Sequence, residues 1–249
     1  MFTIDDRNRV RDYVLERADA DARVVAGAAV GSLANSEGDR WSDLDLTFGV
    51  AEGVPIHEVL DDFTIGLVSQ FEAAHLFDLP SGAAVYRVFL LPGCLQLDLS
   101  AAPESQFGAL GPEFRLLFGQ AVEKPHMQPP EAQQLLGYAV HHAVRARFCI
   151  ERGRPWQAEY WVSGVRDYAL GLACRRRRLP TDHGRGIDTL PDTVRRAAAG
   201  ALIRSPDRDE LLRALGAAIE LLLEEAGEVQ ELAGRVQPQL RQLTAGTLW

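Results

Sequence analysis

Residues 31–46, GSLANSEGDRWSDLDL, decide the fold, because they join a Gly-Ser pair to an Asp-Leu-Asp triplet across ten residues. Alternate residues of a strand point to the same side of a sheet, so Asp43 and Asp45 would present two carboxylates together while Leu44 and Leu46 face the core. Hard oxygen donors at this spacing suit Mg²⁺, which keeps part of its water shell and shares the rest with substrate phosphates. The triplet therefore predicts a magnesium site at the start of a strand.

An apolar run, Val24–Val30, precedes the Gly-Ser pair and is typical of a buried strand. Gly31 lacks a Cβ and lets the backbone approach a ligand, and Ser32 offers a hydroxyl and an N–H. A helix beginning just after this pair would point its free N–H groups and its positive dipole end at the same phosphate. The stretch thus predicts a phosphate site beside the metal site.

The order of strand, Gly-Ser and Asp-x-Asp on the next strand resembles the DNA polymerase β-like nucleotidyltransferases. The resemblance implies that Gly31 and Ser32 hold the phosphates of ATP or another nucleoside triphosphate, and that Asp43 and Asp45 bind two Mg²⁺ ions. Arg40, in the polar segment between them, is a further candidate for contact with the nucleotide, with a solvated arginine as the alternative. For the whole stretch, the alternative is a Gly-Ser turn followed by a solvated acidic strand end.

The third carboxylate that this family carries on a later strand is assigned to Asp98. Residues 83–100 have the pattern of a hairpin, with Ala84–Leu91 as one arm, a Pro-Gly turn, and a second arm in which leucines alternate with polar residues. Asp98 is the only acidic residue of that second arm and shares a face with Gln96 and Ser100. It is therefore the predicted third metal ligand, and an exposed aspartate without a further role is the alternative.

The chain as a whole predicts an α+β protein, with a polymerase β-like domain of mixed sheet and flanking helices followed by an α-helical bundle. Residues 101–130 are interrupted by proline and glycine, with one short helix expected around Phe114. We therefore expect a nucleotidyltransferase catalytic domain at 1–125 and a helical substrate domain at 126–249. The predicted helices, each with apolar residues at helical spacing, cover residues 5–20, 56–74, 131–152, 156–178 and 207–232.

Charge and composition limit the class of partner. The formal net charge of −9 disfavours long nucleic acid, whose binding depends on Lys and Arg contacts to phosphate, and would attract a small cationic acceptor. The three cysteines are widely spaced and indicate neither a disulfide framework nor a zinc site. The N-terminus does not resemble a signal peptide and the chain has no long apolar run, so we expect a cytoplasmic protein without a membrane partner. Its leucine-rich helices could pair with those of a second copy, so a homodimer is possible.

The layout of the second half resembles the kanamycin, streptomycin and lincosamide nucleotidyltransferases, in which helices follow the catalytic domain. In those enzymes a carboxylate of the second domain often acts as base on the acceptor hydroxyl. The candidate here is Glu159, which shares a helix face with Ser163 and Arg166 at steps of four and three. A surface ion-pairing role is the alternative for Glu159, and Asp98 is the other candidate base.

The resemblance implies an enzyme of the nucleotidyltransferase class that depends on Mg²⁺. The expected reaction transfers AMP from ATP, or another nucleoside monophosphate, to a hydroxyl of a small molecule such as an aminoglycoside or a lincosamide-like antibiotic. One alternative is a protein-modifying nucleotidyltransferase of the antitoxin type. Another is a non-catalytic module that only binds nucleotide, and a transferase acting on nucleic-acid ends is disfavoured by the acidic charge.

Overall fold

The computed structural model describes residues 1–34, 38–126 and 128–244, and the chain divides into two compact units, Met1–Met127 and Gln128–Trp249. The first unit is built on a six-stranded mixed sheet, and the second is helical. The predicted α+β class, with flanking helices on the sheet and a helical region after it, is confirmed. The catalytic and substrate-binding roles predicted for the two halves stay predictions, and residues 35–37 of the predicted polar loop lie outside the described residues.

The sheet has the strand order β3-β4-β5-β2-β1-β6, and β2 with β5 is its parallel pair. The N-terminal halves of β2 and β5 therefore lie side by side, which places the residues after Asp43 next to the second arm of the predicted hairpin. The strands are β1 (Val24–Val30), β2 (Leu44–Val50), β3 (Ala74–Ser81), β4 (Ala84–Leu91), β5 (Leu95–Pro103) and β6 (Phe114–Phe118).

Two helices, α1 (Ile4–Ala20) and α2 (Ile56–Phe71), cover one face of this sheet. A capping box starts α1, because the Thr3 hydroxyl accepts a hydrogen bond from the N–H of Asp6 at 3.1 Å and the Asp6 carboxylate accepts one from the N–H of Thr3 at 2.9 Å. Every second residue of β2 is buried against these helices, starting with Leu44 and Leu46. Asp45 therefore lies on the opposite face of the sheet.

A buried arginine ties the edge of the sheet to α2. Arg87 of β4 is 5% exposed and donates to the carboxylate of Asp78 on β3 and to that of Asp61 on α2, each at 2.7 Å. The Arg87 guanidinium holds the pKa of the Asp78 carboxyl below its usual value. Because β3 is exposed along its whole length, this ion pair is a main side-chain anchor of that edge strand.

The second unit packs its helices around alanines and leucines. Ala139, Ala143 and Ala146 of the first helix are fully buried against the second, and such small side chains allow close approach of two helix backbones. At one crossing Gly164 faces His142 so closely that a Cβ at position 164 would lie 2.2 Å from its Nδ1. The helices are α3 (Ala132–Glu151), α4 (Pro155–Arg176), α5 (Asp192–Gly200), α6 (Arg208–Glu224) and α7 (Gln230–Gln242).

Two expectations about helices are wrong. Phe114 begins β6 and not a short helix, because its backbone pairs with Val30 at the edge of the sheet. The single helix expected over residues 207–232 is divided, because the chain leaves α6 and turns at Gly227, where φ is +48°, before α7 begins. Within the described residues, no helix combines the length and the apolar character needed to cross a bilayer.

Candidate active site

Asp45 and Asp98 are direct neighbours across the parallel pair of β2 and β5. Partner residues of adjacent strands lie about 4.8 Å apart and point to the same face of the sheet. The structure thus brings together the second residue of the Asp-x-Asp triplet and the predicted third carboxylate. Both side chains are half-buried, on the face opposite α1 and α2.

The surroundings of Asp98 disfavour its negative charge. Burial raises the pKa of the Asp98 carboxyl, and the nearby charge of Asp43 raises it further, whereas a hydrogen bond from Gln96 opposes the rise. In that bond the amide Nε2 of Gln96 donates to Oδ1 of Asp98 at 3.0 Å. Asp43 itself lies one residue before β2, so all three predicted carboxylates share one end of the β2–β5 pair.

Gly31 lies directly against the Asp45 carboxylate. Its φ of +68° falls in the left-handed region, and a Cβ built on it would be 2.6 Å from Oδ2 of Asp45. Glycine is therefore required here both for its backbone conformation and for the space taken by the carboxylate. Its N–H is already used, since it donates to the carbonyl oxygen of Glu113 at 3.2 Å.

Directly after β1 the described residues form a turn of 3-10 helix, Gly31–Leu33, in which the N–H of Ala34 donates to the carbonyl oxygen of Gly31 at 3.0 Å. Residues 35–37, which come next, lie outside the described residues, so a longer helix with its dipole at a phosphate stays a prediction. Among the described residues the Ser32 hydroxyl forms no hydrogen bond. Ser32 can therefore still offer its hydroxyl to a ligand.

The donor set suits a hard divalent cation. Asp43, Asp45 and Asp98 supply carboxylate oxygens alone, and such oxygens are the ligands that Mg²⁺ prefers. In the conformation described, the Asp45 carboxylate is turned towards Gly31, and in the described part of the chain no group of three Asp, Glu, His or Cys side chains is close enough to share one ion. Their joint role as metal ligands stays a prediction that their chemistry and their place in the sheet favour.

Arg40 is exposed on the surface, three residues before Asp43 in the chain. Its guanidinium stacks on the ring of Trp41, with 4.1 Å between the Cζ atom and the ring centroid, and Trp41 is 59% exposed. Trp41 is held at its backbone, because its N–H donates to Oδ1 of Asp39 at 2.7 Å. The predicted contact of Arg40 with a nucleotide stays a prediction.

Glu159 belongs to the helical unit, where it is half-buried on α4. Its Oε1 accepts a hydrogen bond from the Ser163 hydroxyl at 2.8 Å. Arg166, on the same helix face, forms its ion pair with the adjacent Asp167 at 2.8 Å. Glu159 is thus engaged by a neutral hydroxyl within its own helix, and its role as general base stays a prediction.

Sequence patterns do not reveal the roles of two residues near the site, Gln96 and Arg7. Strand alternation predicts the face on which Gln96 lies, but its hydrogen bond to Asp98 is seen only in the structure. Arg7 is buried on α1, and its position in the stripe that continues through Val10 and Val14 could have revealed this, because residues three and four apart share a helix face.

No family model and no curated protein matches the sequence. Among solved structures, an aminoglycoside 6-adenyltransferase from Bacillus subtilis is similar at 10% identity and a TM-score of 0.40, over 95% of this chain and 98% of that one. JHP933 from Helicobacter pylori is similar at 12% identity and a TM-score of 0.29, over 96% of this chain and 97% of that one. At TM-scores below 0.5 these likenesses do not establish a shared fold, so we infer function from the arrangement of side chains.

Proposed function

We propose that the chain is a nucleotidyltransferase that moves a nucleoside monophosphate, expected to be AMP from ATP, to a hydroxyl group of a small molecule. The observation that carries the proposal is the pairing of Asp45 with Asp98 beside Asp43 and against the left-handed Gly31. A cluster of carboxylates repels the phosphates of a nucleotide unless a cation joins them. A site that only binds nucleotide has no use for such a cluster, whereas phosphoryl chemistry does.

In the proposed reaction the acceptor oxygen forms a bond to the α-phosphorus while the bond from that phosphorus to pyrophosphate breaks. Pyrophosphate leaves with the electron pair of the broken bond, and the hydroxyl proton passes to a carboxylate. Bound Mg²⁺, expected as two ions, would neutralise charge on the phosphates and favour loss of that proton. Asp43, Asp45 and Asp98 would hold the metal, and Ser32 would donate its hydroxyl to the β- or γ-phosphate.

Gly31 would contribute by its shape. Because its N–H is bonded to Glu113, it offers no free donor, but its missing Cβ leaves room for the Asp45 carboxylate. Asp98 is a candidate to accept the proton, because it lies beside Asp45 at the end of the β2–β5 pair where the acceptor hydroxyl would react. Glu159 stays the second candidate for that role.

The acceptor is expected to be small and cationic. The chain carries a net charge of −9, which raises the local concentration of cations and disfavours long nucleic acid. Amino sugars and lincosamide-like compounds combine a positive charge with free hydroxyls, so an aminoglycoside or a lincosamide-like antibiotic fits both requirements. Antibiotic resistance would be the consequence of such a modification.

The test measures pyrophosphate release from each of the four nucleoside triphosphates with Mg²⁺, over a panel of aminoglycosides, lincosamides and unrelated hydroxyl compounds. We expect release that depends on one compound and falls in Asp45→Asn by about a hundredfold or more, because loss of a residue that merely supports a metal ligand already costs about ten- to a hundredfold. Asp12→Asn is the matched control, because Asp12 is an exposed aspartate that pairs with Arg11 on α1.

Two other outcomes would replace the proposal. Transfer of label from α-labelled ATP to protein, with none to any small molecule, would establish the protein-modifying alternative. Metal-independent binding of nucleotide, without release of pyrophosphate from any compound, would establish a non-catalytic binding module.

A further inference from the structure

Arg7 on α1 is a charged side chain buried within the first unit. It is 5% exposed, and its Nη1 atom donates to two main-chain carbonyl oxygens, that of Asp39 at 2.7 Å and that of Ser42 at 2.8 Å. These carbonyls belong to the segment that leads into the Asp-x-Asp triplet, and Ser42 is bonded directly to Asp43 in the chain. Through Arg7, helix α1 is thus hydrogen-bonded to the segment that leads into β2, where Asp43 and Asp45 lie.

The partners of Arg7 indicate a role in ordering this segment. Burial of a charge is costly unless hydrogen bonds compensate for it, and within the described residues Arg7 forms no salt bridge with a carboxylate. Its charge is instead balanced by two carbonyl dipoles through charge-assisted hydrogen bonds, which are shorter and stronger than neutral ones. Removing the guanidinium would leave both carbonyls without these donors.

The rest of the segment is held by contacts within the segment itself or with residues close to it in the chain. Oδ1 of Asp39 accepts from the N–H of Trp41, and the Ser42 hydroxyl accepts from the N–H of Asp39 at 3.0 Å. Gly38 packs so closely on Leu33 that a Cβ would lie 2.2 Å from Cδ2 of that leucine. These contacts shape the turn, whereas Arg7 is the described side chain that joins it to a distant element through two hydrogen bonds.

We infer that Arg7 is a positioning residue, which holds residues 39–42 in place and thereby sets the position of Asp43 and Asp45 for metal and nucleotide. The functional half of this inference rests on the proposed function. Removal of a side chain that orients metal ligands without binding the metal itself typically lowers metal affinity or activity by about ten- to a hundredfold. We therefore expect Arg7→Met to raise the half-saturating Mg²⁺ concentration for pyrophosphate release by about tenfold or more.

The test compares Arg7→Met and Arg7→Lys with Arg11→Met. Both bonds of Arg7 come from one nitrogen, so the lysine ammonium can replace part of the interaction. Arg11→Met removes the same charge from the same helix, but Arg11 is 41% exposed at its side chain and bonds only to Asn8 and Asp12. This control separates the effect of losing a positive charge from the effect of losing the hydrogen bonds to residues 39–42.

Hydrogen exchange of the backbone amides in residues 38–46 supplies a readout that needs neither metal nor nucleotide. Arg7→Met should exchange about tenfold faster there or more, Arg7→Lys should be intermediate, and Arg11→Met should match the wild type. Unchanged exchange in Arg7→Met would overturn the inference. So would faster exchange with an unchanged Mg²⁺ requirement, since Arg7 would then be merely structural.

The two levels of the proposal fail separately. A wild type that releases no pyrophosphate would reject the proposed function, and with it the functional half of the inference, while hydrogen exchange would still decide whether Arg7 orders the segment. If Arg7→Met does not fold, Arg7→Lys serves the same comparison. In that case an Arg7→Lys variant with wild-type exchange and a wild-type Mg²⁺ requirement would overturn the inference.

Discussion

Replacing Gly31 by alanine should damage the site far more than the fold. The left-handed φ of +68° costs an alanine about 1–2 kcal/mol, which would appear as a loss in the free energy of unfolding. The new Cβ would also lie 2.6 Å from Oδ2 of Asp45, whereas ordinary contact starts at 3.4 Å, so the oxygen must retreat by about 0.8 Å. A displacement of about 1 Å in a catalytic group can cost about a hundredfold in rate, and we expect a loss of that order.

Gly82→Ala is the matched control for this substitution. Gly82 has a φ of +62° and nothing within 4 Å of the position that a Cβ would take, so its replacement has the backbone cost without the collision. Urea unfolding of both variants should show losses of about 1–2 kcal/mol each, while pyrophosphate release should fall only in Gly31→Ala. Equal activity in the two variants, at equal stability, would refute the claim that Gly31 makes room for the Asp45 carboxylate.

Three further substitutions test the energetics. Asp98→Asn removes a carboxyl whose ionised form is disfavoured by burial and so should leave the free energy of unfolding at pH 7 unchanged or raise it, while pyrophosphate release falls at least about a hundredfold. Arg87→Met should lower the free energy of unfolding by about 1–3 kcal/mol at pH 7. The pKa of Asp78 is lowered in the folded state, so the stability that its pair with Arg87 contributes is present above about pH 3.9 and is lost as the pH falls through the lower folded pKa. The free energy of unfolding of Arg87→Met, measured in urea, should therefore depend less on acid pH than that of the wild type. Gly164→Ala should lower the free energy of unfolding, measured by thermal unfolding, by about 1–3 kcal/mol, because the new Cβ collides with the His142 ring. Adding His142→Ala should recover part of this loss, and no recovery would contradict a collision with His142.

The parts of the fold that sequence patterns predicted are those with a single apolar face or a fully apolar run. β1 is an apolar run, β2 and β5 alternate apolar with polar residues, and α3 and α4 have apolar residues at helical spacing. Each of these patterns predicts which side of the element is buried. β3 and β6 lack such a pattern, because β3 is exposed throughout and β6 is an edge strand that pairs with β1 alone among the described strands. Their existence depends on non-local pairing, which local patterns do not contain.

In the candidate site, too, local sequence patterns predict some features, whereas others depend on the tertiary structure. Alternation along β5 placed Asp98 on a polar face, but its pairing with Asp45 depends on the parallel register of two strands far apart in sequence. The charge of Arg40 and its place in the chain make it a candidate for nucleotide contact, whereas its stacking on Trp41 depends on the backbone turn that Asp39 stabilises. Local spacing thus identified the carboxylates, and the contacts that orient them required the tertiary structure.

The most direct test of nucleotidyl transfer follows two labels of ATP, one at the α-phosphorus and one at the γ-phosphorus, in reactions with Mg²⁺ and an acceptor that supports turnover. We expect the α label in the acceptor and the γ label in pyrophosphate, with both transfers lost in Asp45→Asn. The γ label in the acceptor, or unchanged transfer in Asp45→Asn, would contradict the assignment of the Asp45–Asp98 pair to nucleotidyl transfer.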